Sequence, residues 1–287
     1  MTTEADTETI TDVVARWVRD LDVRPVGDDR FVGQTEQERQ WDRVFGGLVL
    51  GQAALAAGRT APDPTLHSLH AYFLRGGRAG EPIEYAVERV RDGRTFTSRR
   101  VLARQGGDAI CDITLSFVHA EDGISHQEPM PDVPDPDTLQ DARIAFPNPD
   151  GTVWPLGPIE WRAWEPWDKV ARPGEDTAVK EWFRVRAPLP DDPVLKTAAL
   201  VFVSDAGSFA GIERRYGWEG ISHKASASLD HAMWIHRPVT WDGWMLMVTD
   251  TPVAHAARPL SYRQFYTRDG THIASVAQEA IFRKERT

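Results

Sequence analysis

Hydrophobic and polar residues alternate along the stretch SASLDHAMWIHRP, residues 226–238. Ser226, Ser228 and Asp230 fall on one side of this pattern, as expected for a strand with two unlike faces. A shorter stretch with a similar pattern, LHSLHAYFLRGG at residues 66–77, lies about 160 residues upstream. Two such strands in one chain indicate that the fold is built twice.

Two longer apolar runs lack the polar stripe of a surface helix and predict helices that are buried on all sides. The first run, residues 44–61, carries no charge before Arg59, and the second covers residues 192–209. Asp192 supplies an N-cap for the second helix, and Pro193 suits its first position.

The first of these runs contains three glycines, Gly46, Gly47 and Gly51. Glycine weakens an isolated helix by up to ~1 kcal/mol per residue, so another backbone or a ligand is expected to pass close to these positions. Close packing of the helix on a sheet would explain the glycines equally well. A short amphipathic helix over residues 8–21 is expected to precede this run.

The remaining hydrophobic runs have the period of strands and end at turn residues such as Asp92-Gly93 and Asp269-Gly270. In the first half, they predict strands at residues 31–37, 66–75, 82–91, 94–105 and 109–119. In the second half, they predict strands at residues 159–167, 180–187, 226–236, 244–254, 259–268 and 271–283. A direct alignment at an offset of about 164 residues also matches residues 104–118 with residues 268–282.

The repeated order of a buried helix and an antiparallel meander predicts an α+β fold of two tandem hotdog domains. In each domain, an antiparallel sheet wraps around a long buried helix. We expect the N-terminal domain over residues 1–120, a linker over residues 121–158 and the C-terminal domain over residues 159–287. The linker is rich in proline, which breaks regular elements, and we expect it to be semi-rigid and to face solvent.

Length, charge and cysteine content limit which class of protein this chain can belong to and which partners it can bind. The chain has 287 residues, 41% of them hydrophobic, which is enough for one large core or two ordinary ones. Its net charge of -10 disfavours nucleic acid as a partner. Its single cysteine, Cys111, allows no disulfide or cysteine-based zinc site within one chain. The acidic start MTTEADTETITD, the ending KERT and the lack of a long apolar run predict a cytoplasmic protein without a membrane partner.

Three polar residues are candidates for chemistry. Asp205 lies on the apolar face of the second buried helix, where a carboxylate needs a partner or a function. Gln278 is the one strongly polar residue on an apolar row of the last strand, and a buried amide must form hydrogen bonds. Ser228 lies in the repeated strand. The plain alternatives are exposure of Asp205 at the helix end and purely structural bonds for Gln278 and Ser228.

Other kinds of chemistry find less support. A Ser-His-Asp hydrolase would need Ser228, His231 and Asp230, but neighbouring strand residues face opposite ways and no GxSxG motif is present. The nine histidines lack metal-binding spacing and no dinucleotide or phosphate loop occurs, so neither a metal nor a cofactor is expected. His67 and His70 face opposite sides of one strand, and His70 is a candidate for contact with a substrate. A histidine satisfied near the sheet edge is the alternative.

Together, these stretches resemble the acyl-CoA thioesterase II family, the TesB-like enzymes with a double hotdog. The resemblance covers about residues 28–284. In the first half it rests on VFGGLVLGQAALAA, LHSLHAYFLRGG, VRDGRTFTSRRV and TLSFVHAEDGISHQEPMPDVPDPDTL. In the second half it rests on FVSDAGSF, SLDHAMWIHRP and SVAQEAIFR.

The family has a catalytic trio of Asp, Thr or Ser, and Gln in its C-terminal domain. The resemblance places this trio on Asp205 in FVSDAGSF, on Ser228 two residues before an Asp-His pair, and on Gln278 in AQEA. In the first half, the repeat offset places Thr114 where the second half has Gln278. One functional site per chain is therefore expected.

The resemblance implies hydrolysis of fatty acyl-CoA to free fatty acid and CoA by an activated water molecule, without a cofactor, in a homodimer or tetramer. Asp205 would serve as the base or orient the water, which Ser228 and Gln278 would hold in place. One alternative is a hotdog enoyl-CoA hydratase, which needs an Asp and His pair near the second helix. The nearest downstream histidine, His223, is 18 residues from Asp205. The other alternative is an acyl-CoA-binding protein without turnover.

Overall fold

The computed structural model of the chain describes residues 9–35, 43–62, 65–148, 150–166, 169–217, 219, 221–222 and 225–284. Its α-helices are α1 (Ile10–Leu21), α2 (Gly46–Gly58), α3 (Ala142–Ala145), α4 (Pro193–Ser204) and α5 (Ala210–Tyr216), and a short 3-10 helix covers Pro136–Thr138. The two predicted buried helices are confirmed as α2 and α4. The predicted cap of α4 is confirmed as well, because the side chain of Asp192 accepts a hydrogen bond from the backbone N–H of Val194 at 2.8 Å.

The strands of the first half are β1 (Val23–Gly27), β2 (Arg30–Gly33), β3 (Leu66–Phe73), β4 (Ile83–Asp92), β5 (Phe96–Gln105) and β6 (Asp108–Val118). Those of the second half are β7 (Ile159–Arg162), β8 (Val179–Val185), β9 (Ala227–Ser228), β10 (Asp230–Ile235), β11 (Met245–His255), β12 (Arg258–Thr267) and β13 (His272–Ile281). Most of them lie within a few residues of the predicted bounds, because their alternation is strict and turn residues end them.

All strands belong to one antiparallel sheet in the order β1-β2-β4-β5-β6-β3-β10-β13-β12-β11-β8-β7, with β9 beside β13. The first six strands of this order and the last six, read from the opposite edge, follow the same path. The halves join where β3 pairs with β10, with Tyr72 opposite Asp230 and Ser68 opposite Trp234. The structure thus repeats one sheet-and-helix unit, as the sequence predicts.

The two buried helices pack directly against each other, and the glycines of α2 permit this contact. A Cβ atom on Gly51 would lie 3.0 Å from the carbonyl oxygen of Ala198 in α4. A Cβ atom on Gly47 would overlap the carbonyl oxygen of Phe202 and the ring of Phe45. The expected close approach of another backbone is therefore confirmed, and that backbone belongs to the helix of the other half.

Gly47→Ala is expected to lower the free energy of unfolding by about 1–2 kcal/mol. Alanine gains up to ~1 kcal/mol in helix propensity, but overpacking against the Phe202 backbone costs ~1–3 kcal/mol. Urea-induced unfolding measures the difference. Gly243→Ala is the control, because no atom lies within 4 Å of its added Cβ, and a change within about 0.5 kcal/mol is expected there. A Gly47→Ala variant as stable as the parent would contradict the close helix contact.

Several local predictions differ from the structure. The strand expected at residues 31–37 is the second arm of a hairpin whose first arm, β1, lacks a clear alternation of apolar residues. The single strand expected at 226–236 is broken at Leu229, where β9 ends and β10 begins. The second helix ends at Ser204 rather than at 209, and α5 follows it as a separate element. His223 and residues 36–37 lie outside the described residues.

The linker does not face solvent along its whole length, so that part of the prediction is wrong. Apolar linker side chains, Met130, Val133 and Leu139, pack on a cluster formed by Trp182, Trp244, Leu246 and Tyr266 of the second half. The indole N–H of Trp182 also donates to the carbonyl oxygen of Pro134 at 2.8 Å. Prolines prevent long elements here, but the apolar residues between them cover one face of the second half.

Candidate functional site

Asp205 follows the last residue of α4, and only 5% of its surface is exposed. Its carboxylate lies at the start of α2, where the backbone N–H of Gly47 donates a hydrogen bond to it. A Cβ atom on Gly46 would lie 2.7 Å from Oδ2 of Asp205, so glycine leaves room for the carboxylate. Asp205 is therefore a buried acid between the two halves and not an exposed residue at a helix end.

Gln278 connects Asp205 with Ser228. It lies on the inner face of β13, among the buried residues Val276 and Ala280. Its Nε2 atom donates to Oδ1 of Asp205 at 2.7 Å and to Oγ of Ser228 at 2.6 Å. The strand β9 holds Ser228 in place by pairing with β13, with Ser228 opposite Ala280. The structure thus brings together the three residues that the sequence selects.

Two further residues hold the other end of the Gln278 amide. Its Oε1 atom accepts a hydrogen bond from Nη1 of Arg263 at 2.9 Å and contacts Nδ1 of His231 at 3.0 Å. Nη1 of Arg263 also donates to the carbonyl oxygen of Ser204, and Nε2 of His231 lies 3.0 Å from Oγ of Ser204. The amide therefore has partners for both its oxygen and its nitrogen.

Burial governs the protonation of this cluster. It raises the pKa of Asp205, whereas the guanidinium of Arg263 and hydrogen bonds from Gln278 and Gly47 favour the ionised form. Burial also lowers the pKa of Arg263 to about 10, so this side chain remains a cation at neutral pH. Burial, and then the charge of Arg263, lower the pKa of His231 to about 3, so its imidazole is neutral.

The arrangement suits the activation of water better than covalent catalysis. A buried carboxylate near the hydroxyl of Ser228, a partly exposed residue, can accept a proton from a water molecule. A nucleophilic Ser228 would need a base at its hydroxyl. His231 instead contacts Gln278, and the carboxylate of Asp230 accepts the backbone N–H of Glu279 at 2.7 Å. As the sequence predicts, His231 and Asp230 do not form a Ser-His-Asp triad with Ser228.

His70 does not join this cluster. It is exposed on the outer face of the sheet, opposite Ala232, and its ring packs edge-on against Trp234 with centroids 5.3 Å apart. His67 is partly buried, with Nε2 2.8 Å from Oγ of Ser116. The assignment of His70 to substrate contact stays a prediction, which the position of this residue relative to Asp205 does not favour.

Thr114 is not the counterpart of Gln278. It pairs with His70 and is exposed on the outer face, whereas Gln278 points inward. The inward positions beside it are apolar, Ile113 and Leu115. The alignment of the two halves at an offset of about 164 residues is therefore wrong by one residue in these strands. A shift of one residue places a strand side chain on the opposite face of the sheet. The expectation of one site per chain agrees with the apolar residues at these inward positions.

The contributions of Arg263, Gly47 and His231 to this cluster were not predicted from the sequence. Arg263 could have been found, because it is the one charged residue on the inward row of β12, which it shares with Ser261 and Phe265. Gly47 stands out in the sequence as a glycine inside a buried helix, but nothing in the sequence indicates its bond to Asp205. Its N–H reaches Asp205 only because α2 and α4 run against each other.

Within the described ranges, no group of three or more His, Cys, Asp or Glu side chains is placed to hold a metal ion. None of the helices in this part of the chain has both the length and the apolar character of a membrane span.

Comparison with known proteins places two family models on the chain. The model described as "Acyl-CoA thioesterase N-terminal domain" matches residues 37–118, and the model described as "Acyl-CoA thioesterase" matches residues 157–281. The chain is 32% identical over 288 residues to Acyl-CoA thioesterase 2 of Haemophilus influenzae, covering 96% of this chain and 99% of that protein.

Solved structures show the same fold. An acyl-CoA thioesterase II, TesB2, from Mycobacterium marinum superposes with a TM-score of 0.78 at 36% identity, covering 93% of this chain and 98% of that one. A protein with a hot dog fold from Alicyclobacillus acidocaldarius superposes with a TM-score of 0.75 at 18% identity, covering 94% and 99% of the two chains. The predicted fold of two tandem hotdog units is thereby confirmed.

Proposed function

Because this chain belongs to the acyl-CoA thioesterase II family, we propose that it hydrolyses acyl-CoA with a water molecule that Asp205 activates and Ser228 and Gln278 position. The oxygen of the water attacks the thioester carbonyl carbon, the carbon–sulfur bond breaks, and the products are a carboxylic acid and CoA. The observation that carries the proposal is the amide of Gln278, which bridges Asp205 at 2.7 Å and Ser228 at 2.6 Å.

Asp205 is the proposed general base. To accept a proton it must be ionised, and three groups favour the ionised form against the effect of burial: Arg263, Gln278 and Gly47. The raised pKa of this carboxyl also makes it a better proton acceptor than an exposed aspartate.

Gln278 acts on its two neighbours. Both hydrogens of its amide are engaged, one with Asp205 and one with Ser228, so its role is to hold the carboxylate and the hydroxyl in one geometry. The hydroxyl of Ser228 keeps its own hydrogen and a lone pair for the water. Holding the water next to the base reduces the entropy that the attack would otherwise lose.

The finer parts of the proposal concern substrate, organisation and location. We assign fatty acyl-CoA as the substrate, residues 1–120 and 159–287 as two domains, and residues 121–158 as their linker. The matching order of helix and strands in the two halves supports this division. The single cysteine, which allows no disulfide within one chain, supports a reducing, cytoplasmic location. The resemblance to double-hotdog enzymes supports a homodimer or tetramer.

Thiol release from acyl-CoAs of increasing chain length, followed with DTNB, tests the proposed activity. Hydrolysis should release one thiol for each carboxylic acid formed. A binding protein without turnover would show affinity for acyl-CoA and no thiol, and a hydratase would consume enoyl-CoA while the thioester stays intact. Either of those results would overturn the proposed function.

Ser228→Ala is expected to lower kcat about 10-fold, because it removes one hydrogen bond of ordinary strength from the site. Ser228→Thr keeps the hydroxyl and should stay within a few-fold of the parent. The control is Ser226→Ala, since the hydroxyl of Ser226 donates to the carbonyl oxygen of Ser222 and not to the site. Thiol release with Ser228→Ala at the parent rate would remove the hydroxyl from the mechanism.

A further inference from the structure

Arg263 is a buried cation next to the proposed catalytic residues. It lies on the inner face of β12, opposite Val276 of β13, and only 1% of its surface is exposed. Its Nη1 atom donates both to the carbonyl oxygen of Ser204, at the end of α4, and to Oε1 of Gln278 at 2.9 Å. Among the described residues, its hydrogen bonds reach Ser204 and Gln278 and not Ser228, so a role in catalysis must act through Gln278 or through its charge effect on Asp205.

We propose that Arg263 is a positioning residue, which fixes the direction of the Gln278 amide and thereby turns both amide hydrogens toward Asp205 and Ser228. A guanidinium has only donors, so the atom of Gln278 that faces it must be the carbonyl oxygen. The inference rests on the proposed function, because it matters only if the amide orders the base and the hydroxyl.

His231 cannot set this direction. Its imidazole is neutral, and a neutral imidazole donates at one nitrogen and accepts at the other. With the hydrogen on Nδ1, it donates to the oxygen of Gln278. With the hydrogen on Nε2, it donates to Oγ of Ser204, whose own hydrogen goes to the carbonyl oxygen of Val201 at 2.7 Å. In that tautomer Nδ1 is an acceptor, and its matching partner is the amide nitrogen of Gln278. The two tautomers of His231 therefore favour opposite directions of the amide.

If Arg263 were absent, a reversed amide would leave the remaining polar groups of the site bonded but the site inactive. The nitrogen of Gln278 would face His231, and its oxygen would face Asp205, which would have to be protonated in order to donate to it. A protonated Asp205 is no base. Arg263 opposes this state twice, because its N–H would meet the N–H of the amide and because its charge favours the ionised carboxylate.

Packing alone does not explain an arginine at this position. Among the described residues, no group accepts a hydrogen bond from its Nε or Nη2 atoms, and buried donors without partners are costly. The first half offers a comparison in Arg99, which is also fully buried at the end of its central helix, α2. There, Nε donates to Oγ1 of Thr60 at 2.9 Å, and the other nitrogens have acceptors too. Arg99 is a satisfied structural residue.

Arg263→Met keeps the length and apolar bulk of the side chain and removes its donors and charge. We expect kcat to fall on the order of 10²-fold, since the base and hydroxyl lose their geometry, with KM within a few-fold of the parent. Activity needs ionised Asp205, so it falls as pH drops through the pKa of that group. Removing Arg263 raises this pKa, so the acidic limb of the kcat profile should move to higher pH.

Arg263→Lys should restore much of kcat and return the limb to its position, because lysine is also a donor-only cation. Within the ranges that the structure describes, the charged and titratable groups around Asp205 are Arg263 from β12, His231 from β10 and Cys111 from β6. The pKa of His231, about 3, lies below the limb, and burial raises the pKa of the Cys111 thiol far above it. The acidic limb therefore reports Asp205.

Arg99→Met is the matched control, because it removes an equally buried arginine from the other half. It should lower thermal stability and leave both kcat per folded molecule and the acidic limb unchanged. If Arg263→Met behaves in the same way, the inference is wrong. If Arg263→Met fails to fold, the same measurements on Arg263→Gln test the inference. Glutamine can accept as well as donate, so a full rate and an unmoved limb in Arg263→Gln would overturn the inference.

Failure of the proposed function looks different. It would appear as undiminished thiol release by Asp205→Asn, regardless of the rates of the Arg263 variants. Loss of activity in Asp205→Asn together with a full rate in Arg263→Met would reject the role of Arg263 and leave the proposed function in place.

Discussion

Asp205→Asn is expected to reduce kcat for thioester hydrolysis by ~10²- to 10⁴-fold, the range that a general base contributes. Asparagine has nearly the same shape and keeps one acceptor oxygen for the Gln278 amide, but it cannot take a proton from water at neutral pH. Thiol release in a DTNB assay measures the rate, and circular dichroism establishes that the fold is retained.

Asp230→Asn is the matched control for this variant. Asp230 lies on the same strand region as Ser228, but its carboxylate accepts the backbone N–H of Glu279 and has no contact with Gln278. We expect Asp230→Asn to keep a rate close to that of the parent. Undiminished hydrolysis by Asp205→Asn would exclude Asp205 as the base.

Gln278→Glu is expected to lower kcat at neutral pH by about 10²-fold or more. A glutamate oxygen would replace Nε2, which is 2.7 Å from Oδ1 of Asp205, and two carboxylates at this distance cannot both stay ionised. Because Arg263 donates to the opposite end of residue 278, the shared proton should favour Asp205. The base is then protonated, and Ser228 loses its donor.

The pH dependence distinguishes this explanation from simple loss of structure. As pH rises, the shared proton leaves, so Gln278→Glu should recover part of its activity in alkaline solution. Gln264→Glu is the control, because Gln264 is exposed on the outer face of β12. A Gln278→Glu enzyme with the parent rate at neutral pH would contradict the bridging role of the amide.

Much of the fold was predictable because its signals are local. The apolar run of α2 and the cap at Asp192 lie within short segments, and the alternation of β13 marks Gln278 as an inward amide without knowledge of its neighbours. The hairpin arm β1 and helix α5 were missed, because neither carries a clear periodic pattern. The apolar residues of the linker were misjudged, because prolines around them suggested exposure.

The amino-acid sequence by itself determined the order of the elements, the two buried helices and the three residue types of the candidate site. Periodicity, capping and turn chemistry act over a few residues, so they can be read along the chain. The tertiary structure decided that Asp205 and Gln278, 73 positions apart, are 2.7 Å from each other. It also decided that the backbone N–H of Gly47, in the other half, donates to Asp205. It placed Thr114 on the outer face of the sheet and Arg263 on the inner face. These outcomes depend on strand register and helix contact, since one residue of slip moves a side chain to the opposite face of a sheet.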